Sequence, residues 1–240
     1  MPGTAALVAH LPASPRERRK ILTRAELLSA GRKLFSEKGL YESRIEDLTS
    51  TAGIAKGTLY RYFRDREHLI EAVVAEGLRE LRQHIEVRLR GAGGREEVVR
   101  GLAEAHLSFL DQHRDLMRIF HQVRGLLTFD RARWKPLHAL LEAHIAFLER
   151  ALGLAVRGTG MRPADRRLLA TLIFGGISGF GMARAALAPG ERLCPDPGVV
   201  AGAFVGLYER IAARAAAVPP ASRPARSRPP ARPRSGARRP

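Results

Sequence analysis

From Ser50 to Glu67 the sequence reads STAGIAKGTLYRYFRDRE, which sets Lys56, Arg61, Arg64 and Arg66 among Tyr60, Tyr62 and Phe63 directly behind Gly53. A helix that only had to pack would not need so many cations and phenolic hydroxyls near one end. Ammonium and guanidinium groups neutralise phosphates and can donate to guanine edges, so the chemistry this stretch offers is binding to a polyanion. The formal net charge of +17 points the same way. Seven of the arginines lie between Pro219 and Pro240 with no acid among them, so 17 − 7 leaves +10 on the preceding body.

Other chemistries find less support. Gly175-Gly176-Ile177-Ser178-Gly179 sets a serine between glycines, but in an apolar helical run rather than at a strand-to-helix elbow. The eight histidines contain no His-x-x-x-His pair, His106 and His113 are seven apart, and Cys194 stands alone. No catalytic residue, metal site or cofactor is assigned. With one cysteine, nothing depends on an oxidising compartment. The N-terminal MPGTAALVAHLPASP lacks the charged start and cleavage site of a secretory signal, so a cytoplasmic protein is expected. The uncharged run 168–183 falls short of the ~18 residues of a spanning segment and is closed by Arg166, Arg167 and Arg184. It reads as a buried helix, with no membrane partner.

The elements that must position the basic stretch are helical. Ser14-Pro15-Arg16-Glu17 has the form of a capping box, and Ile21, Leu22, Ala25, Leu28, Leu34 and Phe35 then repeat at helical spacing as far as Gly39. A second box, Ser43-Arg44-Ile45-Glu46, opens a helix ending near Gly53, a third helix runs from about Lys56 to Phe63, and Asp65 caps a fourth that reaches about Leu89. Further amphipathic helices are predicted over 96–112, 114–126, 130–153, 164–187 and 197–215. The fold class is all-α: an N-terminal three-helix helix-turn-helix domain over 14–66, and a larger helical domain for effector binding and dimerisation over 67–215. The Pro/Arg-rich tail over 216–240 cannot build a core and is expected to be disordered.

Leu48, Ala52, Gly53, Ile54, Leu59 and Tyr62 fall where a helix-turn-helix needs its apolar anchors and its turn glycine. Over Ile21 to Val74 the chain resembles the DNA-binding domain of the TetR family of bacterial transcription regulators. An apolar first helix ends FSEKG, a core AGIAKGTLYRYF follows, and a charged cap precedes the next helix. The resemblance covers about a quarter of the chain. It implies that Lys56, Gly57, Thr58 and Arg61 face the major groove of double-stranded DNA, with Gly57 permitting close approach. It also implies that Ser43, Arg44, Tyr60, Tyr62 and Arg66 reach backbone phosphates. Three positions depart from the family pattern: Thr49 stands where alanine is usual, Arg66 replaces lysine, and Arg44 replaces a small hydroxyl residue. Thr49 can fit by bonding its hydroxyl to a preceding carbonyl.

The family's larger domain commonly encloses an effector. Candidate lining residues share helical faces in three groups: His106 and Phe109; Met117, Phe120, His121 and Arg124; Trp134, His138 and Leu141. Gly175, Gly179, Ala183, Ala203 and Gly206 are small residues that let helices approach closely, and the resemblance implies a four-helix interface between two copies. These expectations describe a homodimeric repressor released from a palindromic operator by a hydrophobic or amphipathic small molecule. The alternative is an architectural, nucleoid-associated DNA binder that needs no effector.

Overall fold

The structure is a computed structural model that describes residues 14–155, 161–188, 190–194 and 196–217. All its regular elements are helices: α1 (Pro15–Lys38), α2 (Ile45–Ala52), α3 (Lys56–Tyr60), α4 (Arg66–Arg88), α5 (Arg95–Gln112), α6 (Arg114–Phe129), α7 (Lys135–Ala155), α8 (Pro163–Leu187) and α9 (Pro197–Ala217). The residues of the basic tail from 218 onward lie outside the described residues, as does Gly160.

Local signals account for most boundaries. Gly39 ends α1 at φ 89°, donating to the Phe35 carbonyl. Asp65 caps α4 by accepting from the His68 amide at 2.7 Å. Two expected capping boxes differ. Ser14 makes no side-chain cap, and Pro15 alone marks that start. At α2 the box sits one residue later: the Asp47 carboxylate accepts from the Arg44 amide at 3.1 Å, so Arg44 rather than Ser43 is the N-cap. The boundary between α6 and α7 also moves. α6 continues to Phe129, and Asp130 then turns the chain by accepting from the Arg133 amide, which delays α7 to Lys135.

α1, α2 and α3 enclose a small apolar centre with Leu27, Leu34, Phe35, Leu48, Leu59 and Phe63, all nearly solvent-free. α4 closes it with Leu69, Ile70 and Val73. In the larger body α5 is buried nearly all round, with Val99, Leu102, Ala103, His106, Leu107 and Leu110 on successive faces. α4, α7, α8 and α9 pack around it. α8 is long and apolar enough to cross a membrane by length and composition, but Leu169, Ala170, Ile173, Phe174 and Ile177 are spent on this core.

Head and body meet on α4 and α6. The Arg32 guanidinium on α1 pairs with Glu80 of α4 at 3.0 Å and with Asp115 of α6, and it also donates to His113 Nδ1 at 3.1 Å. The Gln122 carbonyl on α6 accepts from the Leu40 amide. Gly77 lets α4 lie against α6: a Cβ there would stand 2.6 Å from Leu116 and 3.1 Å from Phe120, both buried. Gly77→Leu should therefore destabilise the fold by about 1–3 kcal/mol or more. Gly57→Ala, whose Cβ would meet nothing within 4 Å, should change stability by no more than ~0.5 kcal/mol. Urea unfolding of the two variants checks the contrast.

Candidate nucleic-acid interface and effector chamber

The turn between α2 and α3 places the basic residues. Gly53 takes the left-handed conformation at φ 62°, which a residue with a Cβ rarely adopts. The Thr49 hydroxyl donates to the Glu46 carbonyl at 3.0 Å, as expected for a threonine packed against the turn. Leu59 and Phe63 are fully buried and fix α3 by its inner face. The outer face then carries Lys56, Gly57, Tyr60 and Arg61 into solvent, with Thr58 half-buried beside them.

Lys56 is not idle in the free protein. Its Nζ lies 2.6 Å from the Glu46 carboxylate, and this contact raises the lysine's pKa and lowers that of Glu46. Both side chains are more than half exposed, so the pair is weak and a DNA phosphate or base edge can displace it. Around this face the remaining candidates divide. Arg44 is exposed, whereas Tyr62 is half-buried and packs on the core. Arg66 is half-buried, donates from Nε to the Ser43 carbonyl at 2.9 Å, and leaves Nη2 buried without a protein partner. Ser43 is itself buried and its hydroxyl is unpartnered. A phosphate contact by Ser43, or by the buried Nη2 of Arg66, thus requires the loop to open.

The nine candidate chamber residues do not gather in one place. His106, Phe109, Met117 and Phe120 are in the packed core. His121 faces solvent, and His138 lies near the surface between Arg131 and Glu142. Trp134 is buried beside a different hollow of about 210 Å³, where Leu40 and Tyr41 of the head meet Leu126, Phe129 and Arg133. Leu141 is half-buried on α7. Arg124 is half-buried over the Phe174 ring at 5.6 Å, and burial lowers its pKa. Its hydrogen bonds to the Phe174 and Gly175 carbonyls are long at 3.4 and 3.5 Å.

The sequence reading missed a more polar spot in this core. His144 of α7 is fully buried, with its ring centroid 5.7 Å from that of His106 and 4.9 Å from that of Phe174. His106 Nδ1 donates to the Leu102 carbonyl at 2.8 Å, which fixes the tautomer and leaves Nε2 as a bare acceptor. Neither nitrogen of His144 has a partner. Each such buried orphan costs about 1–3 kcal/mol. The spacing Leu137, His144, Leu148, Leu152 on α7 could have placed His144 on the buried face.

Desolvation holds the His106 pKa at about 4 and that of His144 at about 2, so both rings are neutral at pH 7. Once unfolded, each takes up a proton near pH 6.5. The unfolded chain therefore binds more protons below that pH, and stability should fall as pH drops from 6.5 towards 4. His144→Phe should flatten this acid slope, measured by thermal melts at stepped pH. On the DNA side, Lys56→Ala should weaken specific binding by ~1–3 kcal/mol if the lysine reads a base, and lower the salt slope by about 0.9 if it meets a phosphate. Tyr60→Phe should weaken binding without changing base preference. Fluorescence anisotropy at several salt concentrations reads all three quantities.

Comparison with known proteins places this geometry. Residues 27–73 match the family model described as bacterial regulatory proteins, tetR family. An uncharacterized HTH-type transcriptional regulator, YvdT of Bacillus subtilis, is 26% identical over 132 residues, 55% of this chain and 66% of that protein. The HTH-type transcriptional regulator UidR of Escherichia coli is 35% identical over 54 residues, 22% of this chain and 28% of its own length. The chain thus spans less than two thirds of each of these relatives. The crystal structure of the transcriptional regulator FadR from Bacillus subtilis in complex with stearoyl-CoA shares the fold, with a TM-score of 0.64 and 18% identity over 76% of this chain and 96% of that one. With its turn at Gly53, its exposed α3 face and its matched head, the chain is similar over residues 27–73 to the TetR family of bacterial transcription regulators.

Proposed function

We propose that this chain is a cytoplasmic homodimeric repressor that leaves a palindromic operator when a hydrophobic or amphipathic small molecule occupies its helical body. The observation that carries this reading is the joint between head and body. Arg32, at the reading head, is tied to α4 and α6, two helices that also wall the core of the body. A ligand that displaced either helix would change where α3 can lie. An architectural binder would gain nothing from uncompensated polar atoms in its core, so the effector-dependent reading is favoured over that alternative. The first effector class to test is a long-chain acyl compound, because a protein of this fold was crystallised with stearoyl-CoA.

The dimer reading rests on α8 and α9. Leu168 and Leu172 are 52% and 38% exposed, and Gly179, Ala183 and Ala203 are also open. A Cβ added at Gly175, Gly179 or Gly206 would meet nothing within 4 Å inside the chain. Glycine in a helix interior costs roughly 0.5–1 kcal/mol against alanine. With no neighbour in the same chain to require it, close approach by a second copy gives it a reason.

Two outcomes are expected. Genome-wide mapping of bound sites should return a common palindrome, and stearoyl-CoA should release the protein from it in a gel-shift assay; dispersed sites without a shared half-site would sink the proposal. Gly179→Leu should leave the protomer's melting temperature nearly unchanged but shift light scattering from dimer to monomer, and weaken palindrome binding. An intact dimer would remove this face from the interface.

A further inference from the structure

We infer that His106 and His144 form the polar anchor of the effector site and select an apolar ligand carrying an uncharged hydroxyl group. This rests on the effector-dependent reading above and gives its site a chemistry. Four buried polar atoms without partners cluster here: His106 Nε2, both ring nitrogens of His144, and Arg82 Nε. Around them stand Phe147 and Phe174, whose rings lie 6.0 and 4.9 Å from that of His144.

The hydrogen-bonding needs of the pair define the ligand. His106 Nδ1–H is committed to the Leu102 carbonyl, so Nε2 can only accept. Neutral His144 has one N–H to give and one lone pair. A hydroxyl placed between the rings would donate to His106 and accept from His144, satisfying both with one atom. A carbonyl oxygen can only accept, and so leaves His106 bare. A carboxylate has no proton for His106, and the one cation beside the pair, Arg82, lies over the Phe147 ring at 6.0 Å. An ammonium head has no lone pair for His144 and would enter beside the Arg82 cation. The route in passes Phe147, which is half-buried between His144 and the Arg82 guanidinium, the latter 6.0 Å from its ring centroid. A rotation of Phe147 would open His144 to the surface beside Arg82.

The test uses the full chain and a matched set of twelve-carbon probes: 1-dodecanol, methyl dodecanoate, dodecanoate and dodecyltrimethylammonium. Affinities are measured by calorimetry, release by anisotropy on the mapped operator, and the rings by nitrogen-15 histidine spectra. Dodecanol should bind tightest by roughly tenfold, shift the His106 and His144 resonances, and lose that advantage in His144→Phe. Because phenylalanine removes unpartnered atoms, this variant should melt no lower than the parent. Should the variant fail to fold, the wild-type spectra still decide. If probes bind and release DNA but the two histidine resonances stay fixed, or the charged heads bind best, the anchor assignment fails while the repressor reading stands. If resonances report only an exchanging water and no probe binds or releases DNA, the anchor assignment is overturned; if stearoyl-CoA also fails to release the operator, the repressor reading falls with it.

Discussion

α4 belongs to two hydrophobic cores at once, and the rest of the molecule is arranged around that fact. Its first turns give Leu69, Ile70 and Val73 to the reading head, and its later ones give Leu78, Leu81 and Ile85 to the body. Gly77 lies at the changeover, where the helix is pressed against α6. Packed interiors rearrange between discrete states and yield little by continuous compression. A displacement of α4 is therefore delivered to α3 as a rigid movement. Arg32 and the Leu40–Gln122 hydrogen bond add polar links between the same parts, so that α6 also has a direct hold on the head.

Polar groups are placed in this scaffold with very different degrees of satisfaction. Arg32 has carboxylates on two helices and an imidazole as partners. Asp111 accepts from the Leu193 amide at 3.0 Å and pairs with Arg114 at 2.9 Å, so the segment before α9 is tied down. The His106–His144 pair has no comparable arrangement, although it lies deeper than any of these groups. Such an imbalance disfavours the closed core, and whatever supplies the missing partners is bound with that penalty relieved.

Much of the head was legible because its signals are local. Gly39, Gly53 and Asp65 each fix a boundary through their own backbone or side chain, and Leu59 and Phe63 reveal which face of α3 turns inward. The body was legible as helices but not as a site. Helical spacing places His121 and Phe120 on adjoining positions of one element, but only the packing of α6 against its neighbours decides that Phe120 is enclosed and His121 is open. His144 shows the converse: its spacing from Leu148 and Leu152 marks it as inward, yet its meeting with His106 depends on how α7 is rotated against α5. At α2 the capping box shifted for a related reason: Ser43 is buried with its carbonyl accepting from Arg66, and Arg44 takes the N-cap position.

The sequence contains a single tryptophan, Trp134, and the fold sets it at the hollow where Leu40, Tyr41 and Arg66 of the head region face the end of α6. Its indole is 5% exposed, and the Arg133 guanidinium lies 5.5 Å from its ring centroid. Indole emission shifts with the polarity and wetness of its surroundings. The chain is thus equipped with one intrinsic optical gauge at its hinge line, with no second tryptophan to blur the signal. Tilting of the head, too small to alter helix content, can be followed in unlabelled protein as a change in emission wavelength.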